Sequence, residues 1–171
     1  MKTMFLSIAA VAAAVIAAPA FAQDFSGPRA GVVVGVSGDE SPFDNAEFVY
    51  GAQVGYDVAV SPGFRLGAEA DIAKADIEDV DVTQTSVGVR MTFPASTKGA
   101  LFVSGGYSNL DAEYAGFGEN FGGYRLGGGG EVKLGRNAYT SLEYRYSEYD
   151  LSDYGASAHT HSALLGLGLR F

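Results

Sequence analysis

The feature that most constrains this chain is a two-residue alternation with glycine built into it. Phe48, Tyr50, Ala52, Val54, Tyr56, Val58 and Val60 interleave with Glu47, Val49, Gly51, Gln53, Gly55, Asp57 and Ala59. The same reading sets Phe64, Leu66, Ala68, Ala70 and Ile72 against Arg65, Gly67, Glu69 and Asp71. Period two places successive side chains on opposite faces of a strand. A helix is excluded on energy as well as on period. The chain holds 24 glycines, and each inside a helix would cost about 1 kcal/mol relative to alanine.

Eight such runs cover the chain, near 29–37, 47–60, 63–74, 81–93, 100–109, 121–134, 138–149 and 158–171. Ser61-Pro62-Gly63, Pro94 to Gly99 and Gly135-Arg136-Asn137 are compact turns, with proline and glycine where turns need them. Longer links near 38–46, 75–80, 110–120 and 150–157 alternate with them. The "GFGENFGG" stretch at 116–123 reads as a loop entering strand six. Short turns at one end and long links at the other describe an up-and-down meander. Eight strands bring both ends of the meander to the short-turn side, so strand one can close on strand eight.

Before the first run, Met1-Lys2-Thr3 is followed by an apolar, alanine-rich stretch from Met4 to Ala18 and by Pro19-Ala20-Phe21-Ala22. A basic start, a short apolar run and a small-x-small ending describe a cleaved secretory signal. The expected division is a signal peptide over 1–22 and one barrel domain over 23–171. Losing Lys2 leaves 10 basic residues against 20 acidic ones, a balance that disfavours nucleic acid as a partner. Cysteine is absent, which removes disulfides and thiolate metal sites.

Alternation alone does not say which face is inside. A soluble, lipocalin-like barrel turns its apolar face inward around a ligand, whereas an outer-membrane barrel turns it outward into lipid. Glycine favours the second arrangement. Gly31, Gly35, Gly51, Gly55, Gly67, Gly88, Gly106, Gly127, Gly129, Gly166 and Gly168 all fall on the polar face. Glycine weakens a solvated strand but suits a crowded interior. Charge agrees: Arg65, Arg90, Arg125, Lys133, Arg145 and Arg170 on that face nearly balance Asp57, Glu69, Asp71, Glu131 and Glu143. A buried set must be paired in this way. The excess acid lies in the long links, as at Asp39, Glu40, Asp44, Asp111 and Asp150. Tyr50, Tyr56, Tyr107, Tyr124, Tyr144 and Tyr146 lie on the apolar face, where an interfacial girdle belongs. Pairing strands six and seven would set Gly128 opposite Tyr144, whose ring can cover the gap the glycine leaves.

The final "LLGLGLRF" places Leu165, Leu167, Leu169 and Phe171 on one face. Together with the leader and the eight strands, it resembles the small outer-membrane barrel family that includes opacity-type proteins and the barrel of outer-membrane protein A. The resemblance implies that Leu165, Leu167, Leu169 and Phe171 form the signal read by the barrel-assembly machinery. It also implies the outer membrane as location, with lipid and lipopolysaccharide as surroundings.

Two constellations could carry chemistry. His159 and His161 point outward near the long-link rim, where Glu148 or Asp150 could complete a metal site. Ser157, His159 and Glu148 would share that rim if strands seven and eight form a hairpin, a grouping similar to that of outer-membrane lipid A deacylases. That family places histidine two residues before serine, whereas Ser157 precedes His159 here. The expectation is therefore no catalytic residue, no bound metal and no cofactor. Eight strands enclose a lumen that side chains just fill. Arg65, Glu69, Arg90, Arg125, Glu131, Glu143, Arg145 and Arg170 are thus expected to pair as a plug, with a narrow ion path as the alternative. The whole reads as a monomeric all-β, eight-stranded antiparallel barrel of the outer membrane. Its role is structural or adhesin-like, through acidic outer loops.

Overall fold

The computed structural model describes residues 25–77, 80–114, 117–151 and 156–171; the expected signal peptide lies outside them. Eight strands follow in order: β1 (Gly27–Gly38), β2 (Glu47–Ser61), β3 (Phe64–Ile77), β4 (Val80–Pro94), β5 (Gly99–Tyr114), β6 (Phe117–Lys133), β7 (Ala138–Leu151) and β8 (Ala156–Arg170). Each pairs antiparallel with the next, and β1 closes on β8 from Arg29↔Arg170 to Gly38↔His161. Closure leaves no strand at the edge of the sheet, the condition for a sheet in hydrocarbon; only the loop-end extensions, such as residues 117–122 of β6 on the β7 side, lack a ladder partner.

The turn end is tight. Arg65 Nη1 donates to the carbonyls of Ser61 (2.6 Å) and Pro62 (3.2 Å), clamping the β2–β3 turn. Ser96 Oγ accepts from the Gly99 amide at 2.8 Å to set the β4–β5 turn. Phe64 and Phe93 pair their rings beside these turns, 5.5 Å apart.

The opposite end corrects two expectations. The links near 75–80 and 110–120 are largely continuations of the ladder, which runs to Ile77↔Val80 and Tyr114↔Phe117. Within "GFGENFGG", residues 117–123 belong to β6 and are not a loop. Asn109 and Asn120 exchange side-chain amide hydrogen bonds of 2.8 and 2.9 Å, and Asn120 also donates to Asp111. These cross-strand polar pairs hold β5 and β6 together where glycine suggested a break.

The apolar face is the outer one. Leu142 is 64 % exposed and Leu101 61 %, in company with Val87, Val89, Leu126, Leu165 and Leu167. A continuous greasy surface of this kind marks a lipid or partner interface. A strand spans the bilayer in about 9–11 residues. Counting ten residues from the turn end of β6, β7 and β8 reaches Tyr124, Ser147 and His161. Tyr107, Tyr124, Tyr146 and His161 therefore mark the outer boundary of the lipid belt, and the ends of β5 to β8 project beyond it.

At some inner-face glycines a side chain from elsewhere occupies the space, and at others, such as Gly31 and Gly88, the backbone of the neighbouring strand does. A Cβ at Gly55 would meet the Arg29 guanidinium at 2.8 Å, and one at Gly127 would meet Glu143 Oε1 at 2.5 Å. At Gly67 it would run into the Asp57 carboxylate. Gly128 faces outward and stands opposite Tyr144, in the expected register. The ring does not cover it: the nearest atoms to a Cβ there are Phe102 O and Val103 Cγ1, 3.7 and 3.9 Å away. Tyr144 instead turns its hydroxyl to His161 Nδ1 at 2.6 Å, because a phenol at the boundary gains a polar partner there.

This asymmetry predicts the outcome of one paired substitution. Gly55→Leu should lower stability in lipid vesicles by about 1–3 kcal/mol or block folding, as overpacking does. Gly128→Leu should fold normally. Urea titrations followed by gel mobility of the folded form check both.

Candidate functional site

Inside the barrel, strand alternation directs long charged side chains into a narrow space, and each finds an opposite charge. From the turn end the chain of contacts runs Arg90–Glu131 (2.8 Å), Glu131–Arg170 (3.0 Å), Arg170–Asp57 (2.6 Å) and Asp57–Arg29 (3.1 Å). It continues Arg29–Glu69 (2.6 Å), Glu69–Arg125 (2.7 Å), Arg125–Asp71 (3.0 Å) and Asp71–Arg145 (3.3 Å), ending at Glu143 (3.2 Å). Five arginines and five carboxylates thus share one connected lattice. Every one of them is at most 7 % exposed at the side chain. Asp57, Glu69, Asp71 and Glu131 each bridge two arginines.

Of the lumen residues singled out from the sequence, Glu69, Arg90, Arg125, Glu131, Glu143, Arg145 and Arg170 stand in this lattice. Arg65 also points inward and is buried, at the β2–β3 turn. Arg29 is fully buried and central, yet the sequence reading passed over it. It sits at the margin of the first run, beside Pro28; its shared parity with Gly31 and Gly35 was the available signal.

The lattice is roofed and floored by other groups. Below, Arg90 stacks on Phe102, 3.5 Å from the ring centre, and Lys133 Nζ lies 4.1 Å from the centre of the buried Phe25 ring. Above, Gln84 Nε2 donates to Ser108 Oγ (2.9 Å), which also meets Ser86 (3.2 Å) and the buried Tyr149 hydroxyl (3.1 Å). Arg29 Nη1, Arg125 Nε and Arg170 Nε are buried with no hydrogen-bond partner among the described residues. Groups of this kind are commonly met by internal water.

A second cluster lies on the outer face at the lipid boundary. Tyr124 and Tyr146 donate to the same Glu148 oxygen at 2.6 and 2.8 Å. Tyr146 packs against His159 and His161, with ring centres 6.4 and 5.2 Å apart. Strand register sets Glu148 opposite His159, and Asp150 opposite Ser157. Glu148 is thereby engaged by phenols, and Ser157 stands against an acid. Among the described residues no three His, Asp or Glu side chains converge as metal ligands. Tyr50 lies on the outer face of β2, stacked on Phe48 with ring centres 6.2 Å apart; Tyr56 stands opposite Pro28 in the turn-end half. Leu165, Leu167 and Leu169 face lipid, and the Phe171 amide donates to Pro28 O at 2.9 Å.

The family described as outer membrane protein beta-barrel domain matches residues 8–171. No curated protein matches the sequence. Among solved structures, Ail of Yersinia pestis, in complex with the heparin analogue sucrose octasulfate, superposes with a TM-score of 0.64 at 16 % identity. The match covers 85 % of this chain and 97 % of that one. The N-terminal β-barrel domain of Pseudomonas aeruginosa OprF gives 0.59 at 14 % identity, covering 85 % and 99 %. The outer membrane enzyme PagL gives 0.56 at 13 % identity, covering 84 % and 99 %. At such identities the likeness is one of fold.

The lattice makes a sharp prediction. Asp57→Ala takes one of two carboxylate partners from each of the buried Arg29 and Arg170, and breaking buried pairs costs about 3–5 kcal/mol. Unfolding in lipid should show that loss. Glu148→Gln at the rim should leave the unfolding midpoint almost unchanged.

Proposed function

The chain belongs to the outer membrane protein beta-barrel domain family, and from that premise we propose that it is a non-catalytic, monomeric anchor whose working surface is its acidic outer end. The observation that carries this is the separation of charge along the barrel axis. At the loop end, Asp39, Glu40, Asp44, Asp111 and Asp150 are exposed, and strand register places Asp81 between Asp76 and Glu113. Exposed cations at the turn end include Lys98 and Arg136. Charge of one sign gathered on a surface attracts the opposite sign and repels its own. Ail's crystal partner is a polyanion; the acidic end here favours cations, either divalent ions shared with lipopolysaccharide phosphates or basic patches on another surface.

A narrow channel is the competing reading, and the lattice speaks against it. Ion pairs crossing the whole lumen present a moving ion with contacts that must break one after another. A hydrolase built on Ser157, His159 and Glu148 is supported neither by the order of Ser157 and His159 nor by the engagement of Glu148 with Tyr124 and Tyr146. Biogenesis in this reading begins with cleavage after Ala22 and ends with Leu165, Leu167, Leu169 and Phe171 presented to the assembly machinery. No cofactor enters it.

Two measurements test the proposal. Planar-bilayer recordings of the purified barrel should show no steady conductance; a stable current that changes with Arg145→Gln would assign a channel instead. A deletion strain should show heightened sensitivity to detergent and chelator or lose adhesion, with lipid A acylation unchanged. A strain altered only in lipid A would overturn the non-catalytic reading.

A further inference from the structure

The inner face is charged through most of its length, but its outermost level is not. There Val49, Ala73 and Leu164 are all buried and pack together, with Ala75 against them. Above this floor lies a cavity of about 170 Å³ that opens at the loop end. Its remaining apolar wall comes from Val82 and Leu110, and Gln84, Tyr149, Thr160 and Ser162 supply a polar side. These side chains share the inward parity of the lattice residues on their strands, and Leu110 on β5 shares that of the buried Phe102, Ser104 and Ser108. At the mouth stand Asp39 and the half-buried, inward Glu47. Lys74 also borders the opening, but its parity with Ile72 sends its side chain to the outer face.

We infer that this vestibule is a binding site for a small organic cation: a benzene-sized apolar group carrying one ammonium. Size sets the first half of the assignment, since about 150 Å³ is room enough for benzene. The wall formed by Val49, Ala73, Ala75, Val82 and Leu110 rewards an apolar occupant, while the polar side stays free to hold water. Charge sets the second half. Glu47 sits where a group protruding from the pocket would emerge, with Asp39 beside it and the acidic outer end surrounding both. An anion would meet the carboxylates of Glu47 and Asp39 at the mouth. The hydrogen-bonded bottom made by Gln84, Ser108 and Tyr149 separates the pocket from the Arg145–Asp71 pair below. The cation therefore enters and leaves by the same mouth, and the site does not depend on conduction or on the role proposed for the outer surface.

Benzylammonium is the probe, with benzyl alcohol and phenylacetate as its neutral and anionic counterparts. The barrel is folded in zwitterionic micelles, and the methyl resonances of Val49, Val82 and Leu110 are followed during titration. Saturable shifts are expected with benzylammonium, with affinity falling severalfold for benzyl alcohol and for the Glu47→Gln variant. Ala73→Leu, which fills the cavity, should abolish the shifts; Thr160→Leu serves the same purpose if that variant does not fold. Shifts confined to lipid-facing methyls such as Leu142 and Leu167, equal affinity for phenylacetate, or unchanged binding in the filled variants would each overturn the site.

Discussion

Hydrocarbon offers a backbone no hydrogen bonds, and every other property of this barrel descends from that fact. An amide or carbonyl left unpaired in lipid costs several kcal/mol, so a sheet that crosses a bilayer must close on itself. Closure with eight strands fixes a small radius. The outer surface must then be apolar, and the inner surface must be filled by whatever the alternating positions supply. In this chain they supply arginines, carboxylates and glycines. The glycines are the reason the charges fit: Gly55 and Gly67 stand where the Arg29 guanidinium and the Asp57 carboxylate must lie.

The lattice fills the lumen with paired charge. Buried ion pairs are seldom stabilising when compared with a well-packed apolar core. In a lumen of this kind their value is specificity, because a strand slipped by one residue would deliver its arginine to lipid. Bridging carboxylates such as Glu69, held by both Arg29 and Arg125, tie strands on different sides of the barrel. The β-strand ladder makes the wall, and the lattice braces it from within. Such a braced wall is a rigid platform for the hairpins that project from it.

Strand number, order and the orientation of the two faces were legible in the sequence because period two and the placement of glycine report directly on a two-sided sheet. Charged positions in mid-strand, such as Arg125 and Arg145, were legible for the same reason. Legibility failed where local composition and tertiary context disagree. Glycines 116, 118, 122 and 123 suggested a loop, yet cross-strand bonds between Asn109 and Asn120 extend the ladder through most of them. Arg29 was hidden at a strand margin beside a proline. The ring of Tyr144 was expected over Gly128, but a hydrogen bond to His161 governs its direction. The vestibule could not be read at all: Val49, Ala73 and Leu164 look like breaks in a polar face until the register brings them to one level.

The account rests on lipid touching one face while charge is sealed behind it. The chain contains no cysteine, so single substitutions can each carry one spin label. Labels at Leu142→Cys, Val89→Cys and Leu167→Cys, in barrels reconstituted into liposomes, should collide readily with dissolved oxygen and hardly at all with an aqueous nickel chelate. Labels at Asp111→Cys and Asp150→Cys should show the reverse. Nickel access at the three apolar positions equal to that at the rim would mean that water, not hydrocarbon, covers this face, and the account would fail.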